Sequence, residues 1–319
     1  MKFRMKTSIL ALLWILGCVH TLPASARSIE LVSQNLNRLF DDKDDGNHET
    51  VLSSKQYHRR LNRLVKRITT GWALPDVMAF QEVENRHILT QLATRVLAES
   101  GVSYQSMLIE GNDPSGIDVG FLIRKPIQLK RVEALFSATG WPGHHHPLFS
   151  RPPLRIDICL PGCVTIVNVH LRSMRGINSS KRASFVRNKR HHQAQTLARW
   201  IDQFQRKYPA RPLMIIGDFN ALTPSDPYVD VIGTVLGQPD QQRPLLKSVD
   251  LIDADLIDAT RQLPASQRYS YRYRKKHQQL DYLLISQSLK KHLQHIAFGK
   301  IDYRLSDHAA LMARIKIVP

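Results

Sequence analysis

Polar residues able to bind a cation, orient a water or meet a phosphate recur at the ends of β-type runs. In chain order they are Asn35 and Asn37 in QNLN, Glu82 in FQEVEN, Asn168 and His170 in VNVHLRS, and Asp218 and Asn220 in IIGDFNA. Asp281 in LDYLLIS follows, and then Asp307 with His308 in SDHAAL. These types suit hydrolysis of a phosphoester, which needs a hard cation on phosphate oxygens, an activated water and stabilised charge on the leaving oxygen. Other chemistries lack their parts. There is no G-x-S-x-G elbow and no H-E-x-x-H, and Gly111 and Gly116 have P-loop spacing but Ile117 stands where the lysine must be. The acidic stretch DDKDDGNHE (41–49) fails as an EF-hand, because counting from Gly46 puts Lys43 and Leu52 at ligand positions. It is read as a solvated acidic loop. His144, His145 and His146 are consecutive and point different ways, which predicts a solvent-facing loop rather than a metal site.

The elements that must carry these residues are short strands alternating with helices. IELVSQNL, DVMAFQEV, DVGFLIR, RIDICL, VTIVNVHL, PLMIIGDF, LDYLLIS and AALMARIKI read as strands. Lys55 to Thr70 places Leu61, Leu64, Val65 and Ile68 at helical spacing with Arg59, Arg60, Arg63, Lys66 and Arg67 opposite, and 88–99 and 189–208 are helical as well. Ends of buried strands are rigid places for reactive groups.

Any one of these motifs is common. Together and in this order, over residues 29–317, they resemble the endonuclease/exonuclease/phosphatase superfamily, the DNase-I-like fold. The resemblance implies an α/β four-layer sandwich of two packed mixed β-sheets flanked by helices, acting as a metal-dependent phosphodiesterase. It implies a cation ligand at Glu82, helped by Asn37 and Asp307, with Mg²⁺ expected and Mn²⁺ or Ca²⁺ as alternatives. Asn37 stands where relatives often carry Asp. Asp218 would orient or deprotonate the attacking water, with Asn220 and Asn35 binding phosphate or holding that network. His308 would contact the scissile phosphate, its tautomer and pKa set by Asp281. His170 resembles the second active-site histidine of the DNase I branch, and Asp118 is placed to be its carboxylate partner. Arg151 and Arg172 are substrate-binding candidates.

Charge bears on the substrate. The 319 residues hold 45 Lys and Arg against 27 acids, a net +18, and 43% hydrophobic content excludes a disordered chain. No acid occurs from Ile158 to Ile201, nor from Ala259 to Leu280, where Arg272, Arg274, Lys275 and Lys276 interleave with Tyr269, Tyr271 and Tyr273. Basic windows flanking the cut site suit a long polyanion, and tyrosines can stack on bases. The expected function is therefore a nuclease acting on DNA or RNA, as a monomer with no stable protein partner. A sphingomyelinase-like phospholipid phosphodiesterase, a small-molecule phosphatase and a non-enzymatic polyanion-binding protein are the alternatives.

Lys2, Arg4 and Lys6 precede an apolar run and Ala24-Ser25-Ala26, which reads as a signal peptide over 1–26. Its removal takes three cations and no acid, leaving a domain over 27–319 with +15, secreted or periplasmic and without a transmembrane segment. Ile15-Leu16-Gly17-Cys18 leaves lipoprotein anchoring through Cys18 as the alternative. Cys159 and Cys163 flank a hairpin loop, Leu160 to Gly162, that sets them opposite each other; in an oxidising compartment this favours a disulfide over two free thiols.

Overall fold

Each of the eight runs read as strands is a strand, and the three helical stretches are helices. The computed structural model describes residues 26–46, 49–141, 143–160 and 162–318, so the segment read as a signal peptide, up to Ser25 and including Cys18, lies outside the described residues. One six-stranded sheet runs β13 (Leu293–Phe298), β14 (Leu311–Ile317), β1 (Arg27–Leu39), β2 (Val77–Val83), β4 (Asp118–Arg124), β3 (Tyr104–Leu108). The second runs β5 (Gln128–Ala134), β6 (Leu154–Cys159), β7 (Cys163–His170), β8 (Leu213–Asp218), β12 (Asp281–Ile285), β9 (Ile257–Asp258). Both are mixed: β1–β2 and β7–β8 are parallel and the other pairs antiparallel. A small hairpin, β10 (Tyr271–Tyr273) and β11 (Lys276–Gln278), stands apart.

Three apolar layers hold the sandwich. Leu31, Val77, Ala79 and Phe121 of the first sheet meet Ile166, Met214, Ile216 and Leu283 of the second in the central layer. The outer face of the first sheet is covered by α1 (Ser54–Lys66) and α2 (Arg86–Ser100), and that of the second by α3 (Ala183–Lys207) and α4 (Val231–Leu236). This is the expected four-layer arrangement. Ser53 and Gln56 form a capping box at the start of α1, whose apolar face is Tyr57, Leu61, Leu64 and Val65. Elements missed from sequence are mainly edge strands such as β5 (QLKRVEA), which is largely solvent-facing and so lacks the apolar signal of a buried strand.

Register brings the chemistry to one edge. His170 pairs with Asp218, Asp218 with Asp281, Asn35 with Gln81 and Val83 with Asp118. Asn168 cross-links the sheets, its amide donating to the carbonyls of Phe80 (2.8 Å) and Gly120 (3.0 Å) while its Oδ1 accepts from Gln81 (2.7 Å).

Cys159 and Cys163 are opposite each other in the β6–β7 register and are disulfide-bonded. In the acidic stretch, Asp41 is buried and accepts from Asn85, while 43–46 are exposed. Trp141, Leu148 and Phe149 are buried in the α3 layer rather than presented to a membrane, and His144 stacks on Trp141. Among the described residues no helix is long and apolar enough to cross a membrane.

Candidate active site

Strict strand alternation would point Glu82 to the helix-covered face shared by Met78 and Phe80. A bulge prevents this. The β2 register shifts between Gln81 and Val83, Glu82 adopts φ 60°, and Val83 takes the place under the helices. Glu82 is thereby turned into the cleft between the sheets, where Oε1 accepts from Asn35 Nδ2 (3.0 Å) and Oε2 from the Arg38 backbone N–H (2.9 Å). The end of β1 is irregular too, with Asn37 and Arg38 at φ 47° and 56°. Left-handed backbone at non-glycine residues costs about 1–3 kcal/mol each and persists only when the surroundings enforce it. Arg60 of α1 does so. Its guanidinium donates to the carbonyls of Leu36, Asn37 (3.0 Å) and Arg38 (2.7 Å), so one side chain clamps the turn that presents Arg38 N–H to Glu82.

On the other sheet, Asp281 Oδ2 and His308 Nδ1 are 2.7 Å apart. Burial of the His308 ring opposes protonation, but Asp281 and Asp218 outweigh it and raise the imidazole to about 10. His308 is thus an imidazolium at neutral pH, with Nε2 3.9 Å from Asp218 Oδ2. Asp218 Oδ1 accepts from the Asn220 backbone N–H (2.8 Å), its Oδ2 from Asn35 Nδ2 (3.1 Å), and burial raises its pKa. His170 Nε2 lies 3.6 Å from Asp218 and 3.8 Å from Glu82. Burial first, then the charges of Arg151 and His308, hold His170 well below the ordinary histidine range and keep it neutral.

Several sequence expectations need correction. Asp118 does not meet His170: no ion pair joins them within 4 Å among the described residues, and His170 Nδ1 and Asp118 Oδ1 are both buried without partners. The Asp118 carboxylate lies against Gly111, beside Pro152 and Ser150, with Asp113, Glu110 and Arg151 as its charged neighbours. It accepts from Gly111 N–H, and burial raises its pKa to about 7. Arg151 is not aimed at a substrate; it pairs with Asp113 (2.6 Å) and donates to the carbonyls of His170 and Leu171. Arg172 is half-buried and turned back on Ser173 and the Arg175 carbonyl. Lys189 and Arg190 of the first acid-free window are buried, Arg190 bridging Asp226 and the carbonyls of Arg172 and Asn220. That window is in part framework. The Asn220 amide donates to the Leu171 carbonyl, which favours the network role over a phosphate contact. Arg60 was missed as a functional residue because its signal, a basic face on an amphipathic helix, reads as solvated surface.

The donor set fits a hard divalent cation. Glu82 and Asp218 share the two hydrogens of the Asn35 amide and face the same His170 nitrogen, and neither has a Lys or Arg partner. The imidazolium of His308 offsets Asp218 in part from 3.9 Å, and a metal ion would stabilise the converging pair of carboxylates further. Neither predicted helper hydrogen-bonds to Glu82: the Asn37 side chain is exposed at the cleft mouth and Asp307 is half-buried beside His308. Asp218, Asp281 and His308 also bring one ligand atom each within 4.8 Å of one another, but a protonated His308 cannot ligate a cation, so Glu82 with Asp218 is the better pair. A cavity of about 720 Å³ lies beside the β10–β11 hairpin, and no residue of this catalytic cluster lines it.

The family described as Endonuclease/Exonuclease/phosphatase matches residues 31–305. The chain belongs to this family. Endonuclease/exonuclease/phosphatase proteins hydrolyse phosphoester bonds and use divalent metals, and this chain is a phosphoester hydrolase of that kind. No curated protein sequence matches it. Solved structures share its fold at low identity. A family member from Bacteroides thetaiotaomicron aligns with TM-score 0.58 at 12% identity over 92% of this chain and 99% of that one. TDP2 of Caenorhabditis elegans, in truncated form, gives 0.56 at 15% over 91% and 98%. The 3′ phosphatase NExo from Neisseria, bound to a product DNA hairpin, gives 0.55 at 15% over 90% and 99%.

Proposed function

We propose that the protein is an exported nuclease that cleaves DNA or RNA with Mg²⁺, Mn²⁺ or Ca²⁺ being alternative ions. The observation that carries the substrate class is the β10–β11 hairpin. Tyr271 bridges to His308 through the backbone and its ring lies 5.0 Å from the imidazole, while Arg272, Arg274, Lys275 and Lys276 are exposed. The two turn residues, Arg274 and Lys275, have φ 46° and 68°, the primed geometry that Asn-Gly fills most easily. Cations there, at a cost in local strain, are what a surface for phosphate backbone requires. A small-molecule phosphatase has no use for such a finger, and the burial of Trp141 and Phe149 argues against insertion of these side chains into a lipid surface. Export is supported by the basic, apolar and Ala-x-Ala order of residues 2–26 and by the Cys159–Cys163 bond.

A divalent ion between Glu82 and Asp218, with Asn37 and Asp307 near the mouth, would supply polarisation of the phosphate oxygens. This chain's own groups do the rest. Asp218, held by Asn220 N–H and Asn35, accepts the proton of the attacking water. The imidazolium of His308, fixed by Asp281, stabilises charge on the phosphoryl or leaving oxygen. Neutral His170 donates a hydrogen bond without adding charge.

Supercoiled plasmid, RNA and sphingomyelin liposomes, each incubated with Mg²⁺ and with EDTA, test the reading. Polynucleotide should be cut with Mg²⁺ and spared with EDTA, and liposomes spared in both. Hydrolysis of liposomes alone would overturn it.

A further inference from the structure

The hairpin does not account for the basic face of α1. This helix carries Lys55, Arg59, Arg60, Arg63 and Lys66 and no acid. Arg59, Arg63 and Lys66 follow an i, i+4, i+7 spacing, so they form one stripe, and like charges at i, i+4 destabilise a helix by a few tenths of a kcal/mol. Arg60 is spent on the β1 carbonyls. Among the described residues Arg59, Arg63 and Lys66 form no ion pair; Arg63 donates only to the Arg304 carbonyl (3.1 Å). All three are exposed.

Two adjoining cavities run beneath this stripe. The first, about 320 Å³, reaches Asn37, whose backbone N–H donates to Asn35 Oδ1 of the catalytic cluster (2.8 Å), and is walled by Arg59, Arg63 and Arg304 with no carboxylate in its lining. The second, about 280 Å³, shares Arg63, Arg304 and Leu305 with it and continues past Lys66 and Arg67. Its one carboxylate, Asp302, is already taken by Arg67 (2.9 Å) and Arg304 (3.0 Å). Tyr303, 64% exposed, lines the first cavity beside these cations.

We propose that this trough is a second substrate subsite, which holds the phosphates of the nucleotides next to the cut one on Arg59, Arg63 and Lys66 and stacks an unpaired base on Tyr303. The inference rests on the nuclease reading above and adds the path of the strand. A trough of unpaired cations that starts beside Asn37, itself bonded to Asn35 of the reacting centre, favours a chain of phosphates over a single one, and an exposed tyrosine beside it favours a single strand, whose bases are free to stack.

The test uses the full chain carrying Arg59→Gln, Arg63→Gln and Lys66→Gln together. The assays are cleavage of a single-stranded oligonucleotide long enough to cross the trough and hydrolysis of bis(nitrophenyl) phosphate, which cannot reach it. Each phosphate contact contributes about 0.7 to the slope of log affinity against log salt on single strands, so losing three should flatten that slope by about 2. KM for the oligonucleotide should rise about tenfold or more at low salt while kcat and bis(nitrophenyl) phosphate hydrolysis stay within about twofold, a loss of uniform binding. Tyr303→Ala should raise KM for single strands and leave duplex cleavage unchanged. If the wild type cuts oligonucleotides and the triple variant does so with the same KM and slope, the trough is not a subsite. Equal losses on both substrates would make the stripe structural and overturn the proposal. A wild type that hydrolyses only the small diester would instead refute the nuclease reading, and the subsite with it.

Discussion

Replacing Asp281 by Asn removes the charge that keeps His308 protonated and leaves a side chain of the same shape 2.7 Å from Nδ1. In the wild type His308 is raised to about 10, so it stays an imidazolium through neutral and mildly alkaline pH. Without Asp281 the largest raising influence is gone, and burial lowers the ring toward the ordinary histidine value of about 6.5, with Asp218 and Asp307 still opposing it. At about pH 8 a histidine of pKa 6.5 is only about 3% protonated, a loss of roughly 30-fold from protonation alone, and near pH 6 most of that loss is gone. Lost tautomer and orientation control adds a pH-independent factor, for a total on the order of 10²–10⁴ at about pH 8. The assay is the ratio of wild-type to Asp281→Asn kcat/KM from about pH 6 to 9, in which titration of groups common to both proteins cancels. The ratio should climb with pH. A ratio that is flat across this range would refute the assignment of a charged His308. Stability carries the same sign: a raised histidine pKa stabilises fully below the unfolded value of about 6.5 and is lost as pH rises toward about 10, so the melting-temperature gap between the two proteins should close at high pH.

Glu82→Gln should abolish hydrolysis while the melting curve in EDTA stays within a few degrees, since the shape is kept and the charge is not; activity near wild type would remove Glu82 from the metal site. Arg60→Gln should raise the Mg²⁺ concentration needed for half-maximal activity about tenfold, and a thermal titration with Mg²⁺ should show the same weakening; an unchanged Mg²⁺ midpoint in both assays would make the clamp irrelevant to Glu82. Replacing Arg272, Arg274, Lys275 and Lys276 by Gln should weaken cleavage of long DNA or RNA several-fold or more and flatten its salt dependence, leaving a small phosphodiester untouched. Asn168→Ala strands two buried carbonyls and Gln81 at the junction of the sheets and should cost about 3 kcal/mol or more in urea unfolding; a cost below about 1 kcal/mol would mean that relaxation or water replaces the link.

Much of the fold is legible in the chain because burial writes itself into residue type. Strands covered on both faces, such as LMIIGD, are continuous apolar runs, and the polar residue that ends each run marks where the strand leaves the core. Edge strand β5, largely exposed, carries no such mark, and the three-residue strands of the hairpin are too short to show a period.

Residue pattern along the chain therefore dictates the set of elements, their order, and the list of polar residues at their ends. Which of those residues meet was decided only by tertiary structure. Glu82 faces the cleft because a bulge at φ 60° reverses its parity, and that bulge is sustained by Arg60 from another layer and by Asn35 from the neighbouring strand. Asp118 is held by the Gly111 N–H beside the loop that carries Arg151 and forms no ion pair with His170. Arg151 and Arg190, cations like those of the hairpin, are consumed by buried carboxylates and carbonyls. The physical reason is the same in each case. Side-chain direction in a strand has a period of two residues, so a single irregular backbone angle, stabilised by contacts distant in sequence, exchanges inside for outside without changing any residue that composition or spacing can register.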